Sequence, residues 1–143
     1  MKIKNKVYYA KTSYDSKEIN AVIKVLREQK LNLMNSKNVK KFESKIARLF
    51  DKKYGLMVNS CSSANLLALS ALNLPKGSEV ITPCLTFSTT ISPIIQLGLI
   101  PSLVDINLDT LLINEDCIEE MITKKTRAII MDQILIFSFL KNG

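Results

Sequence analysis

The chain has 143 residues, 47% of them hydrophobic, which is enough for one domain with its own core. Its three cysteines have no CxxC spacing, so they indicate neither a disulfide framework nor a zinc site and favour a reducing cytoplasm. The sequence has no run of 18 apolar residues and no opening stretch like a signal peptide, so we expect a soluble cytoplasmic protein that contacts no membrane.

The net charge of +7 is concentrated in the first part of the chain. Residues 1–53 contain 15 Lys and Arg against 5 Asp and Glu, whereas residues 54–143 contain 5 against 8. The lysines are scattered over the polar sides of two helical patterns, with few aromatic residues that could stack on bases. This distribution favours a solvated face or a surface for an anionic substrate. Nucleic-acid binding through residues 1–53 is the least supported alternative.

Residues 1–53 form an N-terminal helical segment in our interpretation. Asp15 and Glu18 have the spacing of a capping box, and an apolar residue then recurs at helical intervals, which predicts a helix over residues 16–28. After a polar stretch, a second apolar series predicts another helix. That series consists of Val39, Phe42, Ile46, Leu49 and Phe50.

From residue 54 to residue 131, short apolar runs alternate with helical segments. The predicted strands cover residues 54–59, 79–82, 100–104 and 126–131. The predicted helices cover residues 62–72, 87–97 and 115–122, the second of them stopped by Gly98. This alternation predicts an α/β region with a mostly parallel sheet flanked by helices, and ligands at the carboxyl ends of its strands.

The stretch Asn59–Asn65 connects the first predicted strand directly to a helix through small hydroxyl residues. Backbone N–H groups and serine hydroxyls would then gather at the positive end of the helix dipole, an arrangement that suits a phosphate. A serine at such a junction is also an ordinary helix N-cap. Both interpretations remain open on spacing alone.

Five motifs in order resemble the DegT/DnrJ/EryC1/StrS family of pyridoxal-phosphate (PLP) enzymes, which act on nucleotide-linked sugars. The family typically has N-S-G-[TS]-x-A, G-D-E-V-I-x-P, T-[FW]-x-[AS]-T, G-x-x-P-x-[FL]-V-D and T-[KR]-A-I. The corresponding segments here are Asn59–Ala64, Gly77–Pro83, Thr86–Thr90, Gly98–Asp105 and Thr126–Ile129. Upstream, Val39–Glu43 is similar to the family's V-x-x-F-E helix.

The resemblance implies a cofactor, PLP, and three residues that bind it. Ser62 and Ser63 match positions that bind the cofactor phosphate, and Phe87 matches an aromatic residue that stacks on the pyridine ring. An isolated Phe at a helix start is otherwise typical of a core aromatic. Cys61 replaces the common Gly of the turn. If that position required a positive φ, the side chain would destabilise the turn by about 1 kcal/mol or more.

No catalytic residue can be assigned in this sequence. The resemblance implies an Asp at the ring nitrogen and a Lys or His base, and family members carry them downstream of the T-[KR]-A-I strand. The chain has no histidine, so Cys61 has no Cys–His partner. Asp105 and Asp109 could be read as a carboxylate pair, although turn formation and loop solvation account for them more simply.

The resemblance further implies the N-terminal part of a fold-type I large domain, which is a homodimer in the family. After Met131 the sequence departs from the family pattern, so we interpret residues 132–143 as an aberrant tail of a truncated chain. Intact relatives would be sugar aminotransferases or 3-dehydratases of cell-surface polysaccharide, lipopolysaccharide or antibiotic sugar biosynthesis, and this fragment would be inactive alone. The alternative is a non-enzymatic basic α/β module that binds a phosphate-bearing ligand or a partner chain.

Overall fold

The computed structural model describes residues 11–29, 31, 33–34 and 36–131. The predicted tail, residues 132–143, lies outside the described residues. Contacts within the chain divide it into two compact units, one up to Met57 and one from Val58 onward. Within the described ranges, no helix has both the length and the apolar character needed to cross a membrane.

The first unit contains α1 (Ser16–Glu28) and α2 (Lys37–Leu49). The capping box that the sequence predicts is present, because Asp15 accepts from the N–H of Lys17 at 2.6 Å and Glu18 accepts from the N–H of Asp15 at 2.8 Å. Both ends of α1 are therefore where the sequence predicts them.

The predicted strand over residues 54–59 is wrong, because these residues belong to no strand. A strand needs a neighbour to complete its ladder, and the only sheet in the described part of the chain contains three later strands. Met57 instead donates its N–H to the carboxylate of Glu43 at 2.8 Å, within the first unit. Leu56 and Met57 consequently expose 77% and 51% of their surface.

The second unit is built on a parallel sheet of β1 (Glu79–Pro83), β2 (Ile100–Val104) and β3 (Thr126–Ile129), in the order β2-β1-β3. Two helices, α3 (Cys61–Ala71) and α4 (Ser88–Gln96), belong to the same unit. This is the α/β architecture that the sequence predicts. The central strand β1 provides three fully buried side chains, Val80, Ile81 and Thr82.

Two apolar clusters lie in this unit. One contains Leu69 of α3, Val80 of β1, Ile94 of α4 and Leu99. The other contains Ile81, Val104 and Ile113. Successive residues of β1 therefore enter different clusters, as expected for a strand whose side chains alternate between two covered faces.

The predicted end of α4 at Gly98 is confirmed, whereas the helix predicted before β3 is wrong. Gly98 ends α4 with φ +71°, and the N–H of Leu99 returns to the carbonyl of Ile94 at 2.9 Å, which closes a Schellman motif. The predicted helix over residues 115–122 consists instead of two short 3-10 turns, Glu115–Cys117 and Glu119–Met121. Acidic residues four positions apart repel one another in an α-helix, which disfavours it here.

Candidate functional site

The candidate site begins at the first turn of α3, where Ser60 is the N-cap. Its Oγ accepts a hydrogen bond from the N–H of Ser63 at 3.2 Å, and its O–H group lies 3.2 Å from the Ser63 Oγ. The N–H of Ala64 donates to the carbonyl of Ser60. The N–H groups of Cys61 and Ser62 come earlier in the helix and belong to those that no helical carbonyl can satisfy. They are therefore available at the positive end of the helix dipole.

Cys61 is accommodated in this turn without backbone strain. It is the first residue of α3, and among the described residues the non-glycine positions with positive φ are Asp51, Asn73 and Leu111. The penalty expected for a side chain in place of the family's Gly therefore does not arise here.

A hydrogen bond joins the second turn of α3 to the first turn of α4. The Asn65 side-chain amide donates to the carbonyl of Thr89 at 3.4 Å. Ser62, Ser63 and Thr89 line one open pocket of about 270 Å³ between the two helices. The structure thus brings both predicted phosphate-binding serines to one cavity and adds two hydroxyl residues from the next helix, Thr89 and Ser92.

Phe87 is the N-cap residue of α4, two positions before Thr89. Its backbone is extended, and its carbonyl accepts from the N–H of Thr90 at 2.9 Å. The side chain exposes 72% of its surface and does not line the pocket. Within the described part of the chain, the Phe87 ring is therefore not packed in the core.

Asp105 and Asp109 both lie in the loop that follows β2. Asp105 accepts from the N–H of Ile106 at 2.8 Å and from the thiol of Cys84 at 3.5 Å. Asp109 donates its own N–H to Asn107 Oδ1 at 2.9 Å. Both belong to the hydrogen bonding of the loop after β2, and the described part of the chain holds no cluster of three residues suited to a metal ion.

Three residues of this site are not among those that the sequence predicts as ligands. Ser60 could have been identified as a helix N-cap, since it precedes a helix and lies three positions before Ser63, whose N–H it accepts. Asn65 and Thr89 could not, because their contact spans 24 residues and depends on how α3 packs on α4. No local pattern in the sequence indicates such a contact.

The family described as the DegT/DnrJ/EryC1/StrS aminotransferase family matches residues 12–135 of the chain. A dTDP-4-dehydro-2,6-dideoxy-D-glucose 3-dehydratase of Saccharopolyspora spinosa is 45% identical over 68% of this chain and 23% of its own length. A GDP-4-keto-6-deoxy-D-mannose 3-dehydratase of Yersinia pseudotuberculosis is 39% identical over 88% of this chain and 33% of its own length.

A solved structure reproduces the fold. It is the E. coli GDP-4-keto-6-deoxy-D-mannose-3-dehydratase with bound hydrated PLP, which aligns with a TM-score of 0.78 at 38% identity. The alignment covers 85% of this chain and 32% of the E. coli chain. The chain thus spans between about a quarter and a third of the length of these relatives.

Proposed function

We propose, since the chain belongs to the DegT/DnrJ/EryC1/StrS aminotransferase family, that it provides the PLP phosphate-binding part of an enzyme acting on nucleotide-linked ketosugars. The observation that carries this proposal is that Ser62, Ser63 and Thr89 line one pocket, which begins at the first turn of α3 and extends between α3 and α4 as far as Gln96. A helix N-terminus surrounded by hydroxyl groups is a chemical environment that suits a phosphate dianion.

The chemistry of the residues present supports this proposal for both ends of the cofactor. The N–H groups of Cys61 and Ser62 and the hydroxyls of Ser62 and Ser63 would donate to the phosphate oxygens, with charge-assisted hydrogen bonds. The exposed ring of Phe87 would stack on the pyridine ring, since flat aromatic surfaces attract each other in offset arrangements. When bound, PLP supplies an electron sink for carbanion chemistry next to the substrate carbon that it activates.

Ser60 and Asn65 would position the site without contacting the cofactor. Ser60 uses the N–H of Ser63 for capping, which fixes the first turn of α3 and leaves the two earlier N–H groups directed outward. Asn65 holds the start of α4, and with it Phe87, against α3. This amide adds to the apolar packing of Leu69 and Ile94, which also joins α3 and α4.

We propose that this chain belongs to the 3-dehydratase branch of the family. Its most similar relatives include 3-dehydratases for dTDP- and GDP-linked 4-ketosugars. The chain's three free thiols, on Cys61, Cys84 and Cys117, agree with a reducing cytoplasm as the proposed compartment. On this proposal the residues that protonate and deprotonate the sugar belong to the part of a family-length enzyme that this chain does not match.

Titration of the 143-residue chain with PLP, and competition by inorganic phosphate, tests the proposal. A few charge-assisted hydrogen bonds and one stacking contact together contribute about 4–6 kcal/mol, so we expect a dissociation constant between about 1 mM and about 40 μM. Replacing both serines, Ser62→Ala with Ser63→Ala, should weaken binding only a few-fold because the backbone donors remain.

The decisive variant is Ser62→Pro, which removes one backbone donor while the first turn of a helix tolerates proline. We expect it to abolish binding. Ser70→Ala, an exposed serine near the other end of α3, is the matched control and should bind as the wild type does. Equal affinity of the wild type and Ser62→Pro would place the phosphate elsewhere and contradict the proposal.

A further inference from the structure

The helix α4 contains a proline in its interior. Pro93 is buried and lies within the nine residues Ser88–Gln96. In a regular α-helix the N–H of residue 93 would donate to the carbonyl of Thr89, four positions earlier, but a proline nitrogen has no hydrogen to donate. A proline ring inside a helix also crowds that carbonyl and turns it away from the helix axis. The Thr89 carbonyl therefore lacks its regular helical donor and can accept a hydrogen bond from outside α4.

The side chain of Asn65 supplies a donor to this same carbonyl. Its amide donates to the Thr89 carbonyl at 3.4 Å, in a part-buried contact between α3 and α4. Asparagine is itself unfavourable inside a helix, because its side chain competes for main-chain hydrogen bonds. Two residues that each disfavour their own helix thus meet at one carbonyl, where Asn65 replaces the donor that Pro93 removes.

This contact lies beside the candidate phosphate site. Pro93 lines the same pocket as Ser63, and Asn65 follows Ser63 by two positions on α3. At the other end of the contact, Thr89 follows Phe87, the N-cap residue of α4, by two positions. The hydrogen bond therefore connects the segment that carries the proposed phosphate ligands to the segment that carries the exposed ring.

Apolar packing between the two helices fixes their relative position less sharply than this hydrogen bond does. Leu69 of α3 and Ile94 of α4 belong to one apolar cluster, and the hydrophobic attraction between them has no preferred direction. A hydrogen bond requires a particular distance and angle between its donor and its acceptor. The Asn65 amide thus adds a directional restraint near the starts of both helices.

We infer that Pro93 is a positioning residue, which makes the Thr89 carbonyl available to Asn65 and so sets the start of α4 relative to the first turn of α3. The effect reaches the cofactor through Phe87, which lies at the start of α4. This inference rests on the proposed function for the ligand that is positioned, but the replacement of one donor by another at Thr89 requires no ligand. An alanine at position 93 would return a main-chain N–H to the Thr89 carbonyl, and the Asn65 amide would then no longer be needed to satisfy it.

Urea denaturation of four forms of the 143-residue chain tests this replacement without any ligand. The four forms are the wild type, Asn65→Ala, Pro93→Ala and the double variant. In the wild-type background, Asn65→Ala should lower the equilibrium constant for folding by about tenfold or more, because a part-buried carbonyl loses its donor. In the Pro93→Ala background, the same change should lower it by less than about threefold. Pro93→Ser restores the same N–H and takes the place of Pro93→Ala if that variant fails to fold.

Ser92→Ala is the matched control for this cycle. The hydroxyl of Ser92 donates to the carbonyl of Ser88 at 2.8 Å, so it is also a side-chain donor to a main-chain carbonyl of α4. The regular helical donor for that carbonyl, the N–H of residue 92, is present in both backgrounds. Ser92→Ala should therefore lower the folding constant by less than about threefold in either background. An equal cost of Asn65→Ala in both backgrounds would overturn the inference.

Titration with PLP and with inorganic phosphate separates positioning from stability. Asn65→Ala should lower PLP affinity by about threefold or more and leave phosphate affinity within about twofold, since phosphate would contact only the start of α3. In the double variant, PLP affinity should stay low although the carbonyl is satisfied, because α4 is no longer held by Asn65. Recovery of PLP affinity in the double variant, or equal losses for both ligands in Asn65→Ala, would overturn the inference. A wild-type chain that binds no PLP would contradict the proposed function instead, and the urea cycle would then decide the inference.

Discussion

The carboxylate of Glu43 accepts a hydrogen bond from the main-chain N–H of Met57 at 2.8 Å. Glu43 is the last residue of the Val39–Glu43 motif on α2, and Met57 lies three positions before Ser60, the cap of α3. The motif therefore has a structural purpose that its helical spacing does not reveal. It satisfies the backbone of an extended segment that has no strand beside it in the described part of the chain.

Replacing Glu43 by Ala should release this segment. We expect the amide of Met57 to exchange with deuterium about tenfold faster, which corresponds to the loss of a hydrogen bond that contributes about 1–1.5 kcal/mol. Glu43→Gln keeps an acceptor oxygen and should accelerate exchange less. The control is Glu28→Ala, which removes a surface ion pair with Lys24 in the same unit. An unchanged Met57 exchange rate in Glu43→Ala would contradict the role assigned to this carboxylate.

Gly55 is required by the same close approach. A Cβ atom at this position would lie 2.7 Å from the main-chain oxygen of Glu43, a distance that real side chains do not tolerate. Gly55→Ala should therefore shift the segment away from α2 and raise its susceptibility to proteolysis several-fold. Gly77→Ala is the control, because a Cβ there meets open space and only its φ of +78° disfavours the substitution, by about 1 kcal/mol. Equal proteolysis of the two variants would argue against the steric explanation.

The sequence predicts those parts of the fold that depend on neighbouring residues. Both ends of α1 follow from a capping box and an apolar period within 14 residues. The end of α4 at Gly98 is also predictable from neighbouring residues, since it requires only a residue that adopts a positive φ. The alternation of strands and helices correctly predicts a parallel sheet, because parallel strands need helical crossovers.

The wrong strand over residues 54–59 and the unpredicted part of the site both depend on residues far away in the sequence. The stretch 54–59 has the composition of a buried strand, but composition does not reveal whether a pairing partner is present. At the site, Ser62 and Ser63 follow from the expected start of a helix, whereas the Asn65–Thr89 contact depends on the packing of two helices. A sequence pattern contains no information on such packing.

Glu79 connects the starts of β1 and β3. Its carboxylate accepts from the hydroxyl of Thr123 at 2.6 Å and lies 3.4 Å from that of Thr126. Glu79→Ala should lower the free energy of unfolding by about 1–2 kcal/mol, because a charged acceptor for two hydroxyls is lost. Urea denaturation of the second unit measures this change. Glu120→Ala removes an acidic residue of the 3-10 turn Glu119–Met121 and should leave the transition within about 0.5 kcal/mol of the wild type. A similar loss in both variants would assign the effect to net charge alone.

Ser60→Ala separates the capping role from ligand binding. Loss of the N-cap should destabilise the start of α3 by about 1 kcal/mol, visible as faster amide exchange in residues 61–64. The same change releases the N–H of Ser63 from Ser60, so that this group becomes a further donor for a phosphate. We therefore expect phosphate affinity to stay within twofold of the wild type or to rise. A loss of binding as complete as that expected for Ser62→Pro would show that Ser60 itself is a ligand.

Phe87→Ala distinguishes a site for PLP from a site for any phosphate. The ring is exposed at the start of α4, and stacking of two aromatic rings contributes about 0.5–1.5 kcal/mol beyond the area that it buries. PLP affinity should therefore fall about three- to tenfold, while the affinity for inorganic phosphate should change less than twofold, since phosphate has no ring. Leu72→Ala, an exposed apolar residue at the opposite end of α3, is the control and should alter neither affinity. Equal losses for PLP and phosphate would mean that Phe87 supports the fold of the turn rather than the cofactor ring, and the stacking role would then be wrong.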